Sequence, residues 1–91
     1  MKYRRTDRFK RAFERLPENI RRKAVAAFRL FQDNPSHPSL QIEKLAAQRD
    51  IWSGRVGQQY RFTFHYERDP ETGERICVFR VIGTHEVYRK P

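Results

Sequence analysis

Phe9, Ala12, Phe13 and Leu16 recur at spacings of three and four, which predicts one apolar stripe along a helix. Thr6 stands where the N-cap of that helix belongs, and Pro17 both ends it and suits the first turn of the next. Ile20, Ala24, Ala27, Phe28 and Phe31 make a second stripe, closed by Asn34-Pro35. Pro35-Ser36-His37-Pro38 then reads as a rigid loop. Such a short connection predicts an antiparallel helical pair. From Ile51 the period changes from helical to alternating. Ile51 to Val56, Tyr60 to Glu67 and Arg75 to Ile82 read as strands, parted by Gly57-Gln58-Gln59 and by Asp69-Pro70-Glu71-Thr72-Gly73. Tyr3 to Arg5 is a candidate edge strand, and Gly83 to Pro91 is a polar tail, irregular or a short turn. The expected order is β-α-α-β-β-β. This is an α+β fold, an antiparallel sheet of three to four strands with an N-terminal helical hairpin on one face.

Alternation also sorts side chains by face. Tyr60, Phe62, Phe64 and Tyr66 point one way, so the helices are expected on that side; Arg61, Thr63 and His65 point the other way. With Trp52 and Val56 on the aromatic face, Ser53 and Arg55 join Arg61. Placing Cys77, Phe79 and Val81 under the helices turns Arg80 to the same open face, together with Ile76, Val78 and Ile82. Adjacent strands lie about 4.8 Å apart. Arg55, Arg61 and Arg80 could then converge on one phosphate, or each could be a separate solvated residue paired with a carboxylate such as Glu67.

Length and charge narrow the class. The 91 residues make one domain, residues 1–91, with a modest core. Twenty Lys and Arg face eleven Asp and Glu, a net charge of +9 that favours a polyanionic partner. Residues 1–33 carry 11 basic and 4 acidic side chains, so most of the excess lies on the helices. There Arg4, Arg8, Arg11, Arg15 and Arg22 are either a solvated face or a docking surface for nucleic acid or an acidic protein segment. Cys77, the only cysteine, excludes an internal disulfide and reads as a buried strand thiol. No apolar run approaches the roughly 20 residues of a membrane span. The charged start at Met1-Lys2-Tyr3-Arg4-Arg5 is unlike a signal peptide, so the expectation is a cytoplasmic protein with no membrane partner.

Metal-free RNA cleavage needs a base for the 2′-hydroxyl, an acid for the leaving 5′-oxygen, and fixed positive charge for the transition state. His85 follows Gly83-Thr84, where a glycine turn can return His85 and Tyr88 over the sheet; the alternative is a tail histidine with no partner. Glu43 offers a carboxylate just before the sheet. His37 reads as a loop-ordering residue and His65 as an exposed strand histidine. Metal-ligand spacing, a glycine-rich phosphate loop and a Ser-His-Asp order are not apparent, so no cofactor is expected.

These residues stand in a familiar order. His37-Pro38-Ser39-Leu40, Ile51-Trp52-Ser53-Gly54-Arg55-Val56, Tyr60-Arg61-Phe62-Thr63-Phe64 and Val81-Ile82-Gly83-Thr84-His85-Glu86-Val87-Tyr88 resemble the RelE/ParE superfamily of bacterial toxins, over nearly the whole chain. The resemblance implies a toxin of a type II toxin–antitoxin pair. In its RelE-like branches this is a ribosome-dependent endoribonuclease that cuts messenger RNA, neutralised by a cognate acidic antitoxin. It implies Arg61 as the central catalytic arginine, Arg55 as a grip on the message and His85 as general acid or base. Tyr88 matches the aromatic position that follows, and Glu43 falls, with a one-residue gap, near the glutamate base of YoeB-like members. Arg80 is placed by its face alone. Where RelE has a lysine-rich patch before the sheet, this chain has only Lys44. The ParE branch shares the fold but inhibits DNA gyrase without a nuclease site. A non-toxic RNA- or protein-binding module of the same fold is the third reading.

Overall fold

A computed structural model describes residues 1–46 and 50–91. Strand β1 (Lys2–Arg5) leads into helix α1 (Asp7–Glu14) and helix α2 (Glu18–Asp33). A 3-10 turn (Pro38–Leu40) precedes β2 (Glu43–Lys44), β3 (Trp52–Val56), β4 (Tyr60–Arg68) and β5 (Arg75–Gly83). A second 3-10 turn covers His85–Tyr88. The strands form one sheet in the order β1-β5-β4-β3-β2.

The sheet corrects the expected one in two ways. It has five strands, because Glu43–Lys44 adds a two-residue edge strand that no alternating pattern could announce. It is mixed, because β1 runs parallel to β5 while all other pairs are antiparallel. Among the described residues no helix is long and apolar enough to cross a membrane.

The Thr6 hydroxyl does two jobs at the start of α1. It accepts from the Phe9 amide at 3.0 Å, capping the helix, and donates to the Arg80 carbonyl at 2.9 Å, fixing that cap to β5. Phe9, Phe28 and Phe31 from the helices then meet Phe62, Phe64 and Phe79 from the sheet. Ring centroids lie 5.2 Å apart for Phe28–Phe62, 5.0 Å for Phe31–Phe64 and 5.1 Å for Phe28–Phe79. Tilted and edge-on pairs of this kind add to the burial of the rings themselves. Gly54 makes the arrangement possible: a Cβ there would lie 2.3 Å from the Phe62 ring, which crosses the strand at that point. Cys77 is fully buried among these rings, and burial pushes its thiol up to about 12, which leaves it a packing residue and not a nucleophile.

A β-bulge changes the predicted faces of β5. Thr63 pairs with Val81 and Phe64 with Phe79, leaving Arg80 as the extra residue. Strict alternation therefore fails beyond Phe79. Ile82, opposite Phe62, enters the core, whereas Val81, opposite Thr63, crosses to the open face. That is the reverse of the expected assignment for both residues.

Candidate functional site

The face of the sheet away from the helices carries polar rows, because directly opposed residues share a face. One row is Arg55–Arg61–Gly83. The next is Glu43–Ser53–Thr63–Val81. A third is His65–Val78–Arg4.

Arg61 is the centre of the first row. Its side chain is only 14% exposed. Nη2 donates to Ser53 Oγ at 2.8 Å and to the Gln41 carbonyl at 3.0 Å, and lies 3.6 Å from Glu43 Oε1. Its Nε is buried and meets no acceptor among the described residues. A buried guanidinium donor left open is costly unless a ligand supplies the acceptor. The Gln41 carbonyl is aimed by the local backbone. His37 Nδ1 accepts from the Ser39 amide at 3.1 Å and caps the first 3-10 turn, after which Gln41 takes a left-handed φ of 43°. His37 thus orders the loop behind Arg61.

Arg55 lies opposite Arg61, but its Nε donates to the Gly57 carbonyl at 2.5 Å, so its guanidinium is held toward the turn. Arg80 belongs to a separate cluster. Its Nη1 donates to His65 Nδ1 at 2.8 Å and its Nε to the Pro91 backbone oxygen at 3.0 Å. Thr63 Oγ1 donates to the same oxygen at 2.9 Å, so this segment lies over Thr63. An arginine only donates, so His65 Nδ1 must accept and Nε2 must carry the proton that it gives to Glu67 Oε2 at 2.8 Å. Glu67 also accepts from Arg4 at 2.9 Å. These bonds, His65 first, hold the Glu67 carboxyl below its ordinary value. Glu67 pairs with His65 and Arg4, not with an arginine of the first row.

His85 opens the second 3-10 turn, two residues beyond Gly83, the register partner of Arg61. Val87 is the buried anchor of that turn, while His85 and Tyr88 are exposed and their side chains make no hydrogen bond among the described residues. Lys44 is turned from the open face. It pairs in register with Trp52, lies 6.0 Å over that ring and is 3.7 Å from Asp50.

The structure thus brings Glu43 and Arg61 into contact and places His85 and Tyr88 at the same end of the sheet. It holds Arg80 in a neighbouring cluster and puts Lys44 elsewhere. Arg4 belongs to the open face through Glu67, and Arg22 pairs with Glu18 one turn away at 2.8 Å. Arg8, Arg11 and Arg15 line a groove beside the tail. Sequence reasoning missed Ser53, the Gln41 carbonyl and the His65–Arg80 bond. Only the facing of Ser53 was legible, through its parity with Arg55.

No protein-family model and no curated protein matches the chain. Solved structures do. A YoeB/ParE toxin from Agrobacterium tumefaciens superposes with a TM-score of 0.72 at 18% identity, covering 93% of this chain and 99% of that one. RelE in the RelB–RelE antitoxin–toxin complex from Methanococcus jannaschii gives 0.67 at 18% identity, covering 94% of each chain. YafQ from E. coli gives 0.69 at 12% identity, covering 93% of each. The chain has the fold of these toxins.

Proposed function

We propose that this protein is the toxin of a type II toxin–antitoxin pair, acting as a metal-independent endoribonuclease on messenger RNA at the ribosome. The observation that carries this reading is Arg61: a mostly buried guanidinium, fixed through one nitrogen, with an unpartnered Nε and a carboxylate at 3.6 Å. Fixed charge of that kind suits a phosphorane-like transition state, because it needs no reorganisation as negative charge builds on the phosphoryl oxygens.

The chemistry follows. Glu43 takes the proton of a 2′-hydroxyl, and that oxygen attacks the adjacent phosphorus in line. The bond to the 5′-oxygen breaks, and His85 gives that oxygen its proton. The products are a 2′,3′-cyclic phosphate and a 5′-hydroxyl. Arg61 stabilises the transition state, Tyr88 stacks on a base, and Arg55 and Arg80 bind flanking phosphates. Glu43 and His85 are both exposed, so the message completes the site from above the sheet. A cognate antitoxin is the natural partner for this reading, since solved structures of the fold include RelB–RelE and DinJ–YafQ complexes.

Incubation with programmed ribosomes tests it. Wild-type protein is expected to cut the message and His85→Ala to cut far more slowly. An intact message, with wild type and His85→Ala equally toxic in cells, would sink the reading. DNA supercoiling inhibited equally by wild type and an Arg61→Ala/His85→Ala double variant would point instead to a gyrase inhibitor of the ParE kind.

A further inference from the structure

Beyond Phe79 the β1 side of β5 has no strand neighbour, since β1 ends its pairing at Arg5–Phe79. Helix α1 takes over that flank, and a groove of about 680 Å3 opens between α1 and the second 3-10 turn. Arg8, Arg11 and Arg15 line its α1 side and Arg89 and Lys90 the other, with Glu86 the one carboxylate in the lining. Arg8 reaches across to the Lys90 carbonyl. Among the described residues no carboxylate pairs with Arg11, Arg15 or Arg89. Like charges gathered around one groove repel unless an anion lies between them.

We propose that this groove holds the phosphate backbone of single-stranded RNA, as the continuation of the strand that lies at Arg61. The inference rests on the nuclease reading above for where that strand begins. Three observations favour RNA over an acidic peptide. Gly83 forms the rim of the groove and is also the register partner of Arg61, so a strand leaving the open face there meets the groove next. Most of the aliphatic floor is already covered: Leu16 and Val81 are 7% exposed, Val87 4% and Ile82 3%, which leaves Ala12, Pro17 and Tyr60 as the apolar lining still open. A peptide that folds on binding needs apolar surface to offset its ordering, whereas a phosphate backbone needs only charge. Four of the five cations are arginines, whose planar forks fit phosphate oxygens.

The test uses uncleavable 2′-O-methyl oligoribonucleotides, a trimer and a nonamer, with fluorescence anisotropy read across a salt series. Arg11→Gln/Arg15→Gln is compared with Lys23→Gln/Arg29→Gln on α2, thermal melts being matched first. The groove variant is expected to bind the nonamer about tenfold more weakly, and its slope of log affinity against log salt to fall by about 1.4, roughly 0.7 for each lost phosphate contact on a single strand. The trimer is expected to bind all three proteins alike. Nonamer binding unchanged in the groove variant, or weakened as much in the α2 variant, overturns the proposal. So does an acidic peptide that displaces the nonamer at lower concentration, which would assign the groove to a protein partner. Because these oligonucleotides cannot be cut, failure of the nuclease reading appears separately, as an uncut message on ribosomes.

Discussion

Arg61 and His65 divide the open face between them. Arg61 was legible from the sequence because an arginine inside an aromatic strand must face away from the core. The donors and acceptors around it were not, since Ser53 and the Gln41 carbonyl reach it only through strand register and a left-handed turn. His65 shows the same limit. As a sequence feature it is one polar strand residue, while in the fold it seats Arg80. His65→Leu is therefore expected to raise the message concentration needed for half-maximal cleavage several-fold with little change in the saturated rate. His65→Gln, which retains an acceptor for Arg80 and a donor for Glu67, should restore most of the loss. A saturated rate that falls as far as the affinity would show that His65 does more than position. Glu67 gives a pH prediction. Its folded value is depressed from 4.5, so it stabilises the fold above the unfolded value, and that contribution disappears as pH falls through the folded one. Urea midpoints measured from pH 6 downward should decline less steeply below about 4.5 in Glu67→Gln than in wild type.

At the scale of elements, the aromatic alternation of β4 and the stripes of α1 and α2 carried most of the fold in the sequence. The bulge did not show, because its position depends on pairing between two distant strands, and its effect was to exchange Val81 and Ile82 between faces. Nor did β2, whose two residues depend on β3 for their pairing. Gly54 is the point where packing is tightest. Gly54→Ala should destabilise by about 2 kcal/mol in urea unfolding, the cost of forcing a methyl against the Phe62 ring. Adding Phe62→Leu should make the combined loss smaller than the sum of the two single losses. Thr6→Ala removes the α1 cap and its tie to β5, for an expected loss of about 1–2 kcal/mol, most of it recovered in Thr6→Ser.

The whole molecule divides its charge between two places. The helices and tail carry the arginines of the groove, while the sheet carries a few arginines held by named partners. Net charge alone pointed to a polyanion, and it took the fold to show which cations line a groove and which one is mostly buried in the sheet. The likeness to YoeB/ParE, RelE and YafQ toxins lies in the fold, and the buried Nε of Arg61 is the feature on which the proposed phosphate site rests. The most direct test of that assignment is single-turnover message cleavage on programmed ribosomes by Arg61→Ala and wild type, matched for folding and ribosome binding. The account predicts a rate at least about 100-fold lower in the variant, as for a lost transition-state donor, with a 2′,3′-cyclic phosphate on the wild-type product. Equal rates in the two proteins would contradict it.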